Sequence, residues 1–414
     1  MGMIINIDKA LENRTDYNLL REPINDMLKR TQEAWERQNP IDMLFHRGKI
    51  DRFQQTYTSS IGFAQAFTET NDYAVAPIFN NHEGFSKVYT SRTFQGGFLI
   101  TQQVLEDQAY STVKDTANQF IKRWHGDLVE YAMKAVSSGF GKVVNFGDGS
   151  LGPVSHLKLT SADTTDGDIL TETKNPLFCA THKTVQTNEV AAISQSNVFS
   201  VDAGSGNYGI DLGGDDPAKI VKLADVINQV ITIMENYKDD NGKYAGVLGA
   251  KTIVAPNDAR LKAAIETALE TDQFPKYGMN GAYKRATLET TPYLRDLACC
   301  YDSTNQKGVG FFIVDKAYNA ENHGPEFTER VALTLNVEQK KNPYGIGYDA
   351  RQRFDINVAS WRGITFVYIG DSTYYSSNSF ANDTLANYFT KLSPTATIVK
   401  PVSVVGTVTT TAST

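Results

Sequence analysis

The longest periodic stretch of this chain, residues 107–138, constrains its fold more than any other feature. Val113, Ala117, Phe120, Trp124, Leu128, Tyr131 and Ala135 recur at spacings of three or four, the period of a helix buried along one side. Lys114, Asp115, Gln119, Lys122, Asp127 and Lys134 fill the opposite side. At 1.5 Å per residue this helix would be roughly 45 Å long, well beyond the three turns usual in a globular domain. It reads as a strut. The glycine cluster in "GFGKVVNFGDGSLGP" ends it.

The flanking segments read differently. Over residues 73–104, "FSKVYTSRTF" and "FLITQQV" are strand-like and enclose Gly96-Gly97, a plausible two-residue hairpin turn. Such a projection has too few apolar residues for its own core and would rest on a partner surface. Upstream, Leu20, Ile24, Met27, Leu28, Thr31, Ala34 and Trp35 share one stripe of a helix over residues 17–38, which Asn39-Pro40 ends. Residues 1–52 carry equal numbers of basic and acidic side chains, so this arm is not a basic tail.

Residues 147–215 are rich in Thr, Ser, Asp and Gly and read as loops with short strands. An α/β unit follows. It has a buried helix over 217–237, the strand "KTIVA", a helix over 257–270 and the strand "VGFFIV". "RVALTLNVE", "RFDINVA" and "ITFVYIG" complete the strand set. Val331, Leu333, Leu335 and Val337 alternate with polar residues, as do Phe354, Ile356 and Val358, so each strand should place one face on a core. From Ser393 onward the chain has ten Ser or Thr and a single charge, Lys400. That composition suits a disordered tail, or a strand that orders on a neighbour's sheet edge.

Charge and cysteine usage narrow the function. The 414 residues carry a net charge of −7, which argues against tight nucleic-acid binding. Three cysteines, Cys179, Cys299 and Cys300, cannot form a disulfide framework and fit a reducing compartment. No secretory leader and no membrane span are expected.

Candidate chemistry is sparse. Gly204, Gly206 and Gly209 have the G-x-G-x-x-G spacing of a dinucleotide loop. However, "IDLGGDD" separates them from a helix that should start with Asp216 as N-cap and Pro217 at its first position. Asp211, Asp215 and Asp216 would also repel a phosphate. "DGSLG" at 148–152 lacks the first glycine and the feeding strand of a nucleophile elbow. No two of the six histidines lie at i, i+4, and none has zinc-type cysteine spacing. His182, three residues from Cys179, reads as half of a buried structural pair. The expectation is no enzyme, no cofactor and no metal.

The order of pieces carries a resemblance. "FQGGFLITQQVLEDQAYSTVKDTANQFIKRWHGDLVEYAMKAV" and "NPLFCATHKTV" resemble segments of the major capsid protein of tailed bacteriophages, with the Hong Kong 97-type head fold. So do "LADVINQVITIMENYKDDNGKYAGVLGAKTIVAPNDARLKAAIE", "TPYLRD" and "DARQRFDINVASWRGITFVYIGD". The resemblance spans roughly residues 60–375 and implies an α+β fold with an N-terminal arm (1–72) and an extended loop hairpin (73–106). It further implies a spine helix with the first part of a peripheral domain (107–215) and an axial domain (216–328). Peripheral return strands (329–360), the last part of the axial domain (361–392) and the tail (393–414) complete the order.

The same resemblance implies self-assembly as hexamers and pentamers into an icosahedral shell around double-stranded DNA, which is touched only weakly. Expected partners are further copies of the chain, a separate scaffolding protein, a portal and decoration proteins, with no membrane. The expected location is the virion, after assembly in the host cytoplasm. Inter-subunit contacts are expected at Phe94, Phe98 and Leu99 near the hairpin tip, and at Trp361-Arg362 at a strand turn. For Trp361, a buried anchor within one subunit is the competing reading. Two other functions stay open: an encapsulin-like nanocompartment shell, and a nucleotide-binding enzyme using the 202–216 loop.

Overall fold

In the computed structural model the described residues are 39–62, 82–101, 110–140, 144–146, 149–151, 177–183, 193–202, 217–274, 278–297, 299–301, 308–341, 344–370 and 390–392, plus a few isolated positions. The chain opens with β1 (His46–Lys49), β2 (Gln54–Gly62), β3 (His82–Thr90) and β4 (Arg92–Thr101), then the helix α1 (Tyr110–Ser138). Five short strands follow: β5 (Val144–Phe146), β6 (Gly149–Leu151), β7 (His182–Lys183), β8 (Ser194–Gln195) and β9 (Val198–Asp202). Next come α2 (Pro217–Glu235), β10 (Lys251–Pro256), α3 (Ala259–Glu270), β11 (Gln273–Phe274), β12 (Gly278–Met279) and β13 (Ala286–Thr291). The last elements are β14 (Gly308–Asp315), α4 (Lys316–Glu321), β15 (Glu326–Lys341), β16 (Tyr344–Asn357), β17 (Ile364–Gly370) and β18 (Thr390–Leu392). The fold is α+β.

Two larger sheets organise these elements. One has four strands in the order β1-β15-β16-β4, and the other six in the order β13-β10-β14-β17-β9-β18. β10, β14 and β17 are buried at every position, which explains their near-continuous apolar runs, because helices and loops cover both faces of the sheet. α2 begins at Pro217, as its fixed φ favours. It buries Leu223, Val226, Ile227, Val230, Ile231 and Met234. Asp258 caps α3 by accepting from Arg260 and Leu261 N–H at 3.0 and 3.1 Å. At its other end, Asn280 Nδ2 donates to the carbonyls of Ala268 and Thr271, satisfying groups that a helix terminus leaves open.

α1 has 29 residues and so extends about 44 Å. Its middle lies on the four-stranded sheet. Phe98 stands 5.0 Å from Phe120, and Phe94 5.2 Å from Tyr131, centroid to centroid. Trp124 Nε1 donates to Gln352 Oε1 at 2.8 Å, and Tyr131 Oη to Asp355 Oδ1 at 3.1 Å. Past its C-terminus, Phe140 stacks on Phe178 at 4.5 Å and meets Phe366 of β17 edge-on at 4.9 Å. The strut therefore ties both sheets into one apolar core.

Several expectations need correction. Gly96-Gly97 is not a turn: both glycines lie inside β4, opposite Ala350 and Asp349 of β16, and neither has a positive φ. A Cβ on Gly97 would sit 2.7 Å from the Tyr348 carbonyl oxygen, and one on Gly96 would sit 3.2 Å from the Trp124 ring. Close approach selects glycine there. The hairpin-like ladder is instead β2 with β3, pairing Gln54 with Thr90 through Gly62 with His82. It thus starts inside the segment read as an arm, whose end is also no free limb. β1 runs parallel to β15, and Ile41, Leu44 and Phe45 are buried. β9, placed by the sequence among peripheral loops, is a strand of the six-stranded sheet, parallel to β17. In β16, Asp355 and Asn357 are buried alongside Phe354 and Ile356, so that stretch has no solvent face. Most of the helix read at 17–38 and all of the tail from Ser393 lie outside the described residues, although Trp35 stacks on His125 at 4.3 Å.

Candidate inter-subunit surface

The residues expected to meet a neighbour are held within their own subunit. Phe94 stacks on Phe354 at 4.3 Å, and Phe98 stacks on Tyr348 at 4.7 Å. Both belong to β4, whose register sets them under α1 and beside β16. Leu99, opposite Gly347, is half-buried in the same strand. None of the three is at the tip of a projection, so replacing Phe98 would damage the sheet itself. Such aromatic pairs across neighbouring strands stabilise a sheet.

Trp361 is the buried anchor. Its ring stacks flat on His182 at 4.3 Å and meets Tyr237 edge-on at 5.0 Å. Arg362 donates to the Lys238 carbonyl at 3.0 Å and pairs with the buried Asp240 at 3.1 Å. His182 Nε2 lies 3.0 Å from the Leu177 carbonyl and 3.1 Å from Asn197 Oδ1. Burial drives its pKa down to about 3, against the raising effect of those two hydrogen bonds. It is a neutral structural histidine. Cys179 shares Asn197 with it, its N–H donating to Asn197 Oδ1 at 3.0 Å, while its sulfur lies 3.5 Å from Thr181 Oγ1.

No catalytic constellation forms among the described residues. Gly204, Gly206 and Gly209 lie outside them. Gly149 to Leu151 form the second strand of a small ladder with β5, which places Ser150 within a strand. Cys299 and Cys300 are buried with their sulfurs 3.5 Å apart and unbridged; burial, then the neighbouring thiol, pushes Cys300 up. A pocket of about 260 Å³ is lined by Asp42, His46, Arg47, Lys316 and Asn319. Its charges are already matched, because Arg47 pairs with Asp42 at 2.7 Å and Lys316 with Glu289 at 2.9 Å. No group of three or more His, Cys, Asp or Glu is placed to hold a metal, and no helix is long and apolar enough to cross a membrane, again among the described residues.

The exposed apolar side chains are elsewhere. Leu248 is 74% exposed, Met279 84% and Ile78 92%. Met279 ends β12, just before the Asn280 cap that fixes this small ladder to α3. Tyr244, also exposed, carries Lys238 Nζ over its ring at 3.1 Å. Sequence reading missed these positions. Their signal was one or two large apolar residues between turn formers, as in "YGMNGAY" and "GVLGA".

No family model and no curated protein matches the chain. Solved structures do. The chain is similar to a structure of Mycobacterium phage Patience, with 12% identity and a TM-score of 0.42, over 85% of this chain and 88% of that one. It is similar to the capsid of the cyanophage P-SCSP1u, at 8% identity and a TM-score of 0.43, covering 80% and 87%. A virus-like particle from Pyrococcus furiosus gives 8% identity and a TM-score of 0.39, covering 85% and 99%.

Proposed function

We propose that this protein is the major shell subunit of a tailed-phage head, assembling as hexamers and pentamers into an icosahedral container for double-stranded DNA. The observation that carries this reading is the β2–β3 ladder, followed along the chain by the 29-residue α1. Among the described residues the two strands pair only with each other, and an isolated two-stranded ladder is marginal in water. Neighbouring copies would supply the missing surface. The segments resembling phage head proteins support the same reading, in the order hairpin, strut, α/β unit, return strands.

The subunit's chemistry suits a container. Its net charge of −7 gives a lining that repels packed nucleic acid and does not trap it. Contacts between copies would fall on exposed apolar positions such as Leu248 and Met279, many modest burials adding up over a closed lattice. Scaffolding, portal and decoration proteins are the further partners of this reading.

The test is electron microscopy and sedimentation of the expressed protein, alone and with the proteins encoded beside it. Closed shells are the expected product. Met279→Asp and Leu248→Asp should leave the subunit folded but weaken assembly roughly tenfold per contact, the equivalent of about 1.4 kcal/mol. A protein that stays monomeric under every condition would overturn the proposal.

A further inference from the structure

The place where the β2–β3 ladder meets the rest of the subunit carries a titratable pair. His323 lies in the link between α4 and β15, with φ at 50°, a left-handed conformation uncommon for a residue with a side chain. Its carbonyl accepts hydrogen bonds from Ala359 and Ser360 N–H, both at 2.9 Å. The backbone is thus pinned to the segment leaving β16, and the ring is aimed by it. Nδ1 lies 3.0 Å from Glu326 Oε1. The ring also meets Tyr57 of β2, with centroids 4.4 Å apart. Tyr57 in turn packs on Tyr89 of β3, also at 4.4 Å, and Tyr89 is fully buried.

Glu326 is 4% exposed at the first residue of β15. Its oxygens fit there because β1 has Gly48 alongside; a Cβ on Gly48 would lie 3.1 Å from Oε2. A buried carboxylate is costly unless a cation matches it, and among the described residues its ion-pair partner is His323. We propose that His323 and Glu326 form a pH-sensitive clasp that holds the base of the β2–β3 ladder to the subunit in acid and loosens it as pH rises.

The groups around the clasp leave His323 to set the pH response. Tyr57 and Tyr89 face it from the ladder; burial first, then the Glu326 charge, raises both above the ordinary tyrosine value. Asp51, ahead of β2, acts weakly on Tyr57. In β1, His46 is opposite Glu326 in the register, with an exposed side chain. The hydrogen bond to Glu326 raises the His323 pKa, burial opposes it, and the charge of Glu326 raises it further. A histidine with a raised folded value contributes its full attachment below the unfolded value near about 6.5 and loses it as pH climbs through the folded value. The clasp belongs to a single subunit and does not depend on shell formation.

The test is hydrogen exchange of backbone amides 54–57 and 87–90 in the full-length subunit, corrected for intrinsic rate, between about pH 5.5 and about pH 8.5. Wild-type protection should fall about fivefold across that range. His323→Gln, which keeps a donor but cannot titrate, should show a flat profile, and His46→Gln should keep the wild-type one. Flat wild-type protection, or an unchanged fall in His323→Gln, overturns the clasp. A direct titration of the His323 ring in the wild type gives a second reading: a value at or below that of a free histidine overturns it too.

Discussion

Lys251→Met is the sharpest probe of how the α/β unit is held together. Lys251 opens β10, and Asp315 closes β14; the two are register partners. Their side chains are 2% and 0% exposed and meet at 2.8 Å. Lys251 Nζ also donates to the carbonyls of Val247 at 3.0 Å and Gly249 at 2.8 Å. Asp315 Oδ1 caps α4 through Tyr318 N–H at 2.9 Å. A Cβ on Gly249 would collide with Asp315 Oδ1, so backbone packs closely against the carboxylate. Methionine keeps the length and volume of lysine but leaves Asp315 buried without its cation. Removing one member of a buried pair costs about 3–5 kcal/mol. Asp315→Asn, which retains a cap acceptor, exposes the opposite imbalance. The double variant should recover about 2–3 kcal/mol relative to the sum of the single costs. Urea unfolding followed by tryptophan fluorescence and circular dichroism measures all four proteins. A single-variant cost below about 1 kcal/mol, or two costs that simply add, would refute the argument that this pair is desolvated and mutually dependent.

Acid should act through His182. Its folded pKa, near 3, lies below the unfolded value of about 6.5, so the unfolded chain takes up a proton first and stability falls as pH drops through that window. At about pH 5 the loss is roughly 2 kcal/mol. His182→Phe should flatten this part of the pH–stability curve, and an unchanged slope would exclude His182 as its source. The two glycines of β4 should differ. Gly97→Val drives a Cβ against a backbone carbonyl and should cost about 1–3 kcal/mol. Gly96→Ala meets the ring edges of Trp124 and Phe120 and no backbone atom, and should cost less. Equal losses at both would fit a turn, not a strand.

Long, regular elements were legible from residue order. α1 follows from seven apolar side chains at helical spacing, and β10, β14 and β17 from apolar runs that a doubly covered sheet requires. Pro217 marks the start of α2 in both sequence and structure. What failed was information held by tertiary partners. Gly96-Gly97 has the composition of a hairpin turn, yet the glycines answer to Trp124 and Tyr348, residues 28 and 251 positions further along. β2 reads "QQTYTSSIG", too polar to announce itself, and its role shows only in pairing with β3. Trp361 beside Arg362 leaves a surface grip and an interior anchor both open in sequence, and His182 and Tyr237, both distant along the chain, make it an interior post. The His323–Glu326 pair is three residues apart and gave no signal, because its meaning depends on Tyr57 arriving from the far end of the chain.

The strand order sets a timetable for the emerging polypeptide. β1, at residues 46–49, leaves the ribosome early but must wait for residues 326–329 before it has a partner. β9 waits likewise for β17 on one side and for residues 390–392 on the other. Closing such distant pairs is slow, and unpaired strands are prone to join the wrong chain meanwhile. Nascent copies would therefore benefit from chaperones that shelter these strands until residues 390–392 have emerged.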